Sequence, residues 1–322
     1  MKRLGPLLAI AGLALAAVLF ARENVDAILA LLRTAGAGLL VASVVHLFPM
    51  MLNTAAWQRL FPPSHRPGFA HLLQATWTRE SVNALLPVMR VGGEIVAYRI
   101  VRRSDVPPVD IAATLVVDMG MSILTQAVFT LVGIGLLMLH GAARDIVLQL
   151  ALAAAALIAL GAAFVAVQRA GLAGMVARFL HRIAGRFAHL VAGSERIDAA
   201  IAAIYARRRD IARCALWQCA AWAVGTLEIW LALYFLGHPR SILDAAMIDA
   251  LIHAISSVAF AIPGALGVQE GGFLLLGAAV GLDGPTALAL AAARRVRDVV
   301  VYFPGLAAWH RAELRMRTVQ SR

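Results

Sequence analysis

Seven ionisable residues, Glu94, Asp118, Glu228, Glu270, Arg294, Arg297 and Asp298, fall inside stretches otherwise built from Ala, Leu, Val and Gly. At the centre of a bilayer an ionised side chain costs about 2.5–3.5 kcal/mol even on the lenient insertion scales. Such groups must face inward and pair. Two arrangements meet that demand: static ion pairs that join helices, or a polar pathway for a charged or amphipathic substrate. Arg294 and Arg297 are three apart on one helical face, with Asp298 four beyond Arg294. That face offers two guanidinium forks and a carboxylate, a set suited to a lipid phosphate. Glu94 follows Gly92 and Gly93, and Glu270 follows Gly264 and Gly267. Past such helix-breaking glycines a carboxylate can accept backbone hydrogen bonds, carry a proton or pair with an arginine, and the sequence leaves all three open. Arg90 either joins this set or snorkels to the interface. His253, four after Asp249, is read as a local ion-pair partner, a proton relay or a packed histidine.

No HExxH, GxSxG or P-loop signature occurs in the chain, and no glycine-rich turn follows a strand pattern. An enzyme is therefore not expected, nor a cofactor or a metal site. Cys214 and Cys219 are five apart, a spacing that neither shares a helical face nor matches a metal or redox motif, and both are read as packing residues. Gly277 and Gly281 make a small-xxx-small helix-packing face.

The elements that must hold these groups are set by composition. Of 322 residues, 61% are hydrophobic and 15% charged, with a mean hydropathy of +0.80, which excludes a soluble globular enzyme and a disordered chain. The excess apolar surface requires lipid as its solvent. Basic residues outnumber acidic ones 29 to 18, and all but Lys2 are arginine. Because they sit between apolar runs, they read as juxtamembrane cations that fix orientation, not as a nucleic-acid surface.

Six runs are predicted to span: 4–21, 34–58, 109–139, 146–168, 214–237 and 285–309. The first, behind Lys2 and Arg3, could be a cleaved signal peptide, but it lacks a persuasive small-residue cleavage site and is taken as a retained helix. Between 169 and 213 the chain turns basic and amphipathic and is expected as the largest cytoplasmic loop. Two further apolar stretches, 69–98 and 244–283, are broken by Pro, Gly and Glu, and are expected as re-entrant helical hairpins. With both termini in the cytoplasm, this topology places the arginine-rich connections inside. The expectation is one all-α polytopic membrane domain, 1–322, with 1–168 and 214–322 as its halves.

The two broken stretches align at an offset of 176 residues. Pro87 precedes Glu94 by seven, as Pro263 precedes Glu270, and the same offset carries Asp118 onto Arg294. Each of the latter two lies about nine residues, or about 13 Å, into the span that follows, near the midplane of a ~30 Å core. The halves run in opposite directions under this topology, the arrangement of an inverted repeat around a midplane site.

The residues from Leu86-Pro87 through Gly92-Gly93-Glu94 to Arg99, then Leu115-Val-Val-Asp118, the Ala261-to-Gly272 hairpin and Arg294-Arg-Val-Arg297-Asp298 resemble the flippase-like family. That family includes the transmembrane region of lysylphosphatidylglycerol synthases, and the chain is most similar to its hopanoid-biosynthesis-associated membrane proteins of the HpnL type. The resemblance implies a bacterial inner-membrane protein that moves or handles a lipid, a hopanoid or a phospholipid. It implies a site drawn from Pro87, Gly92, Gly93, Glu94, Arg99, Asp118, Pro263, Gly264, Gly267, Glu270, Arg294 and Arg297. Arg90, Glu228 and Asp298 join that set from their own position and charge. Two readings follow: a lipid translocase that holds a headgroup at midplane, or a non-transporting scaffold that recruits lipid-biosynthesis enzymes through 169–213. Membrane lipid is the expected ligand, with lipid-biosynthesis proteins and a second copy of the chain as candidate partners.

Overall fold

The computed structural model describes residues 4–86, 92–140, 144–171, 188–259 and 262–310, and every regular element among them is helical. The helices are α1 (Leu4–Arg22), α2 (Val25–Ala35), α3 (Gly38–Val45), α4 (Leu47–Leu60), α5 (Phe69–Leu85), α6 (Gly92–Val101), α7 (Pro108–Leu139), α8 (Arg144–Arg169), α9 (Ala188–Ala206), α10 (Arg208–Phe235), α11 (Ile242–Val258), α12 (Val268–Ala279) and α13 (Gly284–Arg297). A π-helical turn, Asp298–Tyr302, follows α13, and helix resumes over 303–310.

Three segments among the described residues are long and apolar enough to cross a bilayer: Gly38–Leu60, Pro108–Leu139 and Arg208–Phe235. They correspond to three of the six expected spans. The first is broken at His46, where the backbone N–H turns back to Ser43 in a tightened turn. Pro49 explains the break, because it has no N–H for the Val45 carbonyl and its ring crowds that group. The π turn has a similar cause in Pro304, which cannot donate to the Val300 carbonyl.

Each broken stretch contains two packed helices, α5 with α6 and α11 with α12, and a short 3-10 turn, Pro263–Ala265, precedes α12. At 17 residues or fewer, none of these helices meets the spanning criterion. Gly93 is required where α6 meets α5, because a Cβ there would collide with the Arg79 carbonyl and the Asn83 amide. In the second stretch, Gly267 adopts φ +76° and lies against α1, where an added Cβ would stand 2.7 Å from the Gly12 carbonyl oxygen.

The basic stretch expected as a loop is largely helical where described. Ile197, Ile201 and Ile204 recur at helical spacing, and α9 packs that stripe against α7. At the junction with α10, the Arg207 guanidinium donates to the Leu60 carbonyl and, at 3.1 Å each, to the Phe61 carbonyl and Asp210. A cation on those terminal carbonyls offsets the dipole of α4.

Two apolar clusters occupy opposite ends of the three spans. One gathers Trp57, Leu72, Ile100, Ile111, Ile201 and Cys214, and the other Leu39, Ile134, Leu233, Leu251, Phe273 and Leu288. Between the clusters each span carries inward polar residues, His46 and Asn53 in the first, Asp118, Ser122 and Gln126 in the second, and Gln218 and Glu228 in the third, and there the interior opens.

Candidate functional site: a polar cavity at mid-span

A cavity of about 440 Å³ lies among α4, α5, α7, α10 and α11. Its wall includes Pro49, Ile123 and the pair Ala221–Trp222, which stand at the midpoints of the three spanning segments. The cavity is therefore at mid-depth by sequence register alone. Among the described residues, five carboxylates line it, Glu80, Glu94, Asp118, Glu228 and Asp249, with a single guanidinium, Arg79. Asn53, Asn83, Ser122, Gln126 and Gln218 add neutral polar groups, and His46, Trp222, His253 and Tyr302 add rings.

Three charge networks build this wall. In the first, Arg79 Nη1 donates to Asp118 Oδ2 at 2.8 Å and stands 3.7 Å from Glu94 Oε2, while Gln218 donates to Asp118 Oδ1 at 3.1 Å. The Gly93 N–H donates to Asn83 Oδ1 at 2.9 Å, fixing the start of α6 and with it Glu94. In the second, Arg297 Nη1 donates to Glu228 Oε2 at 3.1 Å and Nη2 pairs with Asp298 at 2.8 Å. The imidazole of His46, placed by the α3–α4 break, lies between Glu228 Oε2 at 2.7 Å and the Tyr302 hydroxyl at 2.8 Å. In the third, Arg294 pairs with Asp249 at 3.4 Å and contacts His253 Nε2 at 2.9 Å. Trp222 meets the His253 ring edge-on and stacks on Phe129, which holds its indole at the cavity wall.

The second broken stretch carries a fourth network outside the cavity. Glu270 accepts the Gly267 N–H at 2.7 Å and pairs with Arg295 at 2.9 Å, and Arg295 also donates to the Gly264 carbonyl at 2.9 Å and lies 3.6 Å from Asp298. This set closes the turn that contains Pro263, Gly264 and Gly267.

Of the residues singled out in the sequence, Glu94, Asp118, Glu228, Asp249 and His253 line the cavity. Arg294 and Arg297 do not: both are buried, with guanidinium groups behind Asp249 and Glu228. Gly92 and Gly93 shape the α5–α6 junction, whereas Arg99 is exposed on α6 away from the cavity. Pro87 and Arg90 lie outside the described residues. Sequence reasoning missed Arg79, Glu80, His46, Gln218, Trp222 and Tyr302. Arg79 and Glu80 carried a usable signal, since they are adjacent charges within the broken stretch 69–98, of the same kind as Glu94. His46 carried another, three before Pro49 in an uncharged run.

A family model described as the lysylphosphatidylglycerol synthase TM region matches residues 4–305, and the chain belongs to that family. It is a multi-pass membrane protein whose family points to lipid metabolism or transport. No curated protein matches the sequence.

Proposed function

We propose that this chain is a lipid translocase of the bacterial inner membrane and that the mid-span cavity receives the polar headgroup of its substrate. The carrying observation is the position of the cavity: a polar chamber of about 440 Å³ whose wall holds the midpoints of all three spanning segments. A headgroup crossing a bilayer meets its highest barrier at that depth, where fixed polar groups replace lost hydration. The tail can remain in lipid between the helices, so only the headgroup needs a polar route.

Alternating access would come from the two halves acting as an inverted repeat with re-entrant hairpins. Two ion pairs support that reading. In the first half, a cation on the broken stretch meets an acid on the following span, Arg79 with Asp118. In the second half an acid meets a cation, Asp249 with Arg294. On this reading the elements correspond and the charges are exchanged. The substrate would be a hopanoid or a phospholipid, and the chain itself would carry out no covalent chemistry. Association with lipid-biosynthesis proteins or a second copy would be accessory, because the stripe of α9 is already spent on packing inside the protein.

The test is reconstitution into liposomes with headgroup-labelled lipids and measurement of their movement between leaflets. The reading requires movement that depends on an open cavity. Leaflet exchange equal to that of protein-free vesicles, for every lipid of the native membrane, would refute it.

A further inference from the structure

Glu80 differs from the other carboxylates of the cavity. Asp118 and Glu94 share Arg79, Glu228 has Arg297 and His46, and Asp249 has Arg294 and His253. Glu80 accepts no hydrogen bond and joins no ion pair among the described residues, yet it lies on the cavity wall. The charged and titratable groups that act on it are Arg79 on its own helix, His46 at the α3–α4 break, Glu94 on α6, Asp118 on α7, and Arg297 and Tyr302 about the π turn. Both guanidinium groups in that set are already committed, Arg79 to Asp118 and Arg297 to Glu228 and Asp298.

An ionised carboxylate at membrane depth without a counter-ion is costly, and two species remove that cost: a proton, or a cation brought in by a ligand. Among the described residues the wall favours a cation, having five carboxylates to one guanidinium, with Arg294 and Arg297 behind it. It also carries the Trp222 indole, an aromatic of the kind that attracts ammonium groups, whereas the Tyr302 ring already has the Arg297 guanidinium 5.5 Å from its centroid.

We infer that Glu80 is an exchange carboxylate, which holds a proton when the cavity is empty and releases it when the ammonium group of a cationic amphiphile enters. The balance is simple. Ammonium plus carboxylic acid gives an ammonium–carboxylate pair and one proton delivered to water, with no covalent bond changed in the ligand. This inference rests on the reading that the cavity receives a headgroup, and it names that headgroup's charge.

The test uses the full chain in nanodiscs, with dodecylamine and dodecyl phosphate as probes and empty nanodiscs as the blank. Calorimetry in two buffers of different ionisation enthalpy counts the protons released. Dodecylamine should bind at least about tenfold more tightly than dodecyl phosphate, through a charge-assisted pair. Its binding should release up to one proton, and its affinity should rise by up to about tenfold per pH unit while Glu80 is protonated in the empty protein. Glu80→Gln should abolish the release and flatten the pH profile, whereas Glu80→Asp should retain both. Tighter binding of dodecyl phosphate, or amine binding without proton release in the wild type, overturns the inference even if Glu80→Gln fails to fold. If a Gly225→Phe plug stops lipid exchange and the wild type binds no amine, this inference falls while the translocase reading stands. Amine binding with lipid exchange unaffected by the plug gives the converse.

Discussion

Arg79 on α5 reaches over 39 residues of chain to donate to Asp118 on α7 at 2.8 Å, and Glu94 on α6 stands 3.7 Å from the same nitrogen. One guanidinium thus ties both helices of the first broken stretch to a spanning helix. Removing it leaves two carboxylates facing each other without a cation. Arg79→Ala should cost about 3–5 kcal/mol, the range for breaking a buried ion pair by deleting one member. Asp118→Asn should cost clearly less, because Glu94 is close enough to take over the pairing. Thermal unfolding in detergent, followed by tryptophan fluorescence, would rank the two variants, and equal losses would contradict the shared-cation arrangement.

The glycines at the two breaks should differ sharply from a glycine on the cavity wall. Gly93→Ala drives a methyl into the Arg79 carbonyl, and Gly267→Ala adds strain at φ +76° to a 2.7 Å clash with Gly12. Each should lose about 1–3 kcal/mol. A Cβ at Gly225 would meet its nearest neighbour, Asp249 Oδ2, at 3.6 Å, an ordinary contact. Gly225→Ala should leave the melting temperature nearly unchanged, and monodispersity after purification is a quick second readout.

His46 joins Glu228 to Tyr302 at the α3–α4 break. Tyr302→Phe should cost about 1 kcal/mol, the net worth of one hydrogen bond, because the ring still packs beside His46. His46→Ala should cost more, since both Glu228 and the Tyr302 hydroxyl lose a partner. A double-mutant cycle with the same unfolding assay would show coupling between the two positions.

At the end of α7, beyond the span, hydrogen bonds to the Leu136 carbonyl and to Asp244 at 2.7 Å raise the His140 pKa above its ordinary 6.5. A histidine with a raised folded-state pKa contributes stability that is full below its unfolded value and lost as pH climbs through the folded value. The contribution should therefore fade from about pH 6.5 upward, and it is small because the side chain is substantially exposed. His140→Gln should flatten the melting temperature over that window. An unchanged slope would mean that the contact with Asp244 carries no charge coupling.

Composition and the long apolar runs made the membrane class legible, and Gly92–Gly93 at the start of α6 and Pro263 with Gly264 before α12 stand where described helices begin or turn. Glu94, Asp118 and Glu228 were visible because charge in an apolar run needs a reason. Their partners were harder to read. Arg79 meets Asp118 only after α5 folds back against α6, and no local spacing encodes a contact 39 residues long. The arginines of 294–297 looked exposed to a ligand because helical periodicity gives a face but not what covers it. Asp249 on α11 and Glu228 on α10 cover that face. The stretch 169–213 reads as a cytoplasmic loop because nine of its twelve charged residues are arginine, whereas three isoleucines at helical spacing decide how α9 packs.

Headgroups are proposed to pass through the mid-span cavity, and Gly225→Phe probes that passage. The glycine lines the chamber, and a Cβ there meets only ordinary contacts, Asp249 Oδ2 at 3.6 Å and Pro49 Cγ at 3.8 Å, so a phenyl ring at this position is expected to occupy the chamber. Leaflet exchange of labelled lipid should be measured in liposomes for the wild type, Gly225→Ala and Gly225→Phe, each matched for folded protein. Exchange is expected with the wild type and the alanine variant, and its loss with phenylalanine. Full exchange with a folded phenylalanine variant would place the lipid route elsewhere and leave the cavity without the function assigned to it.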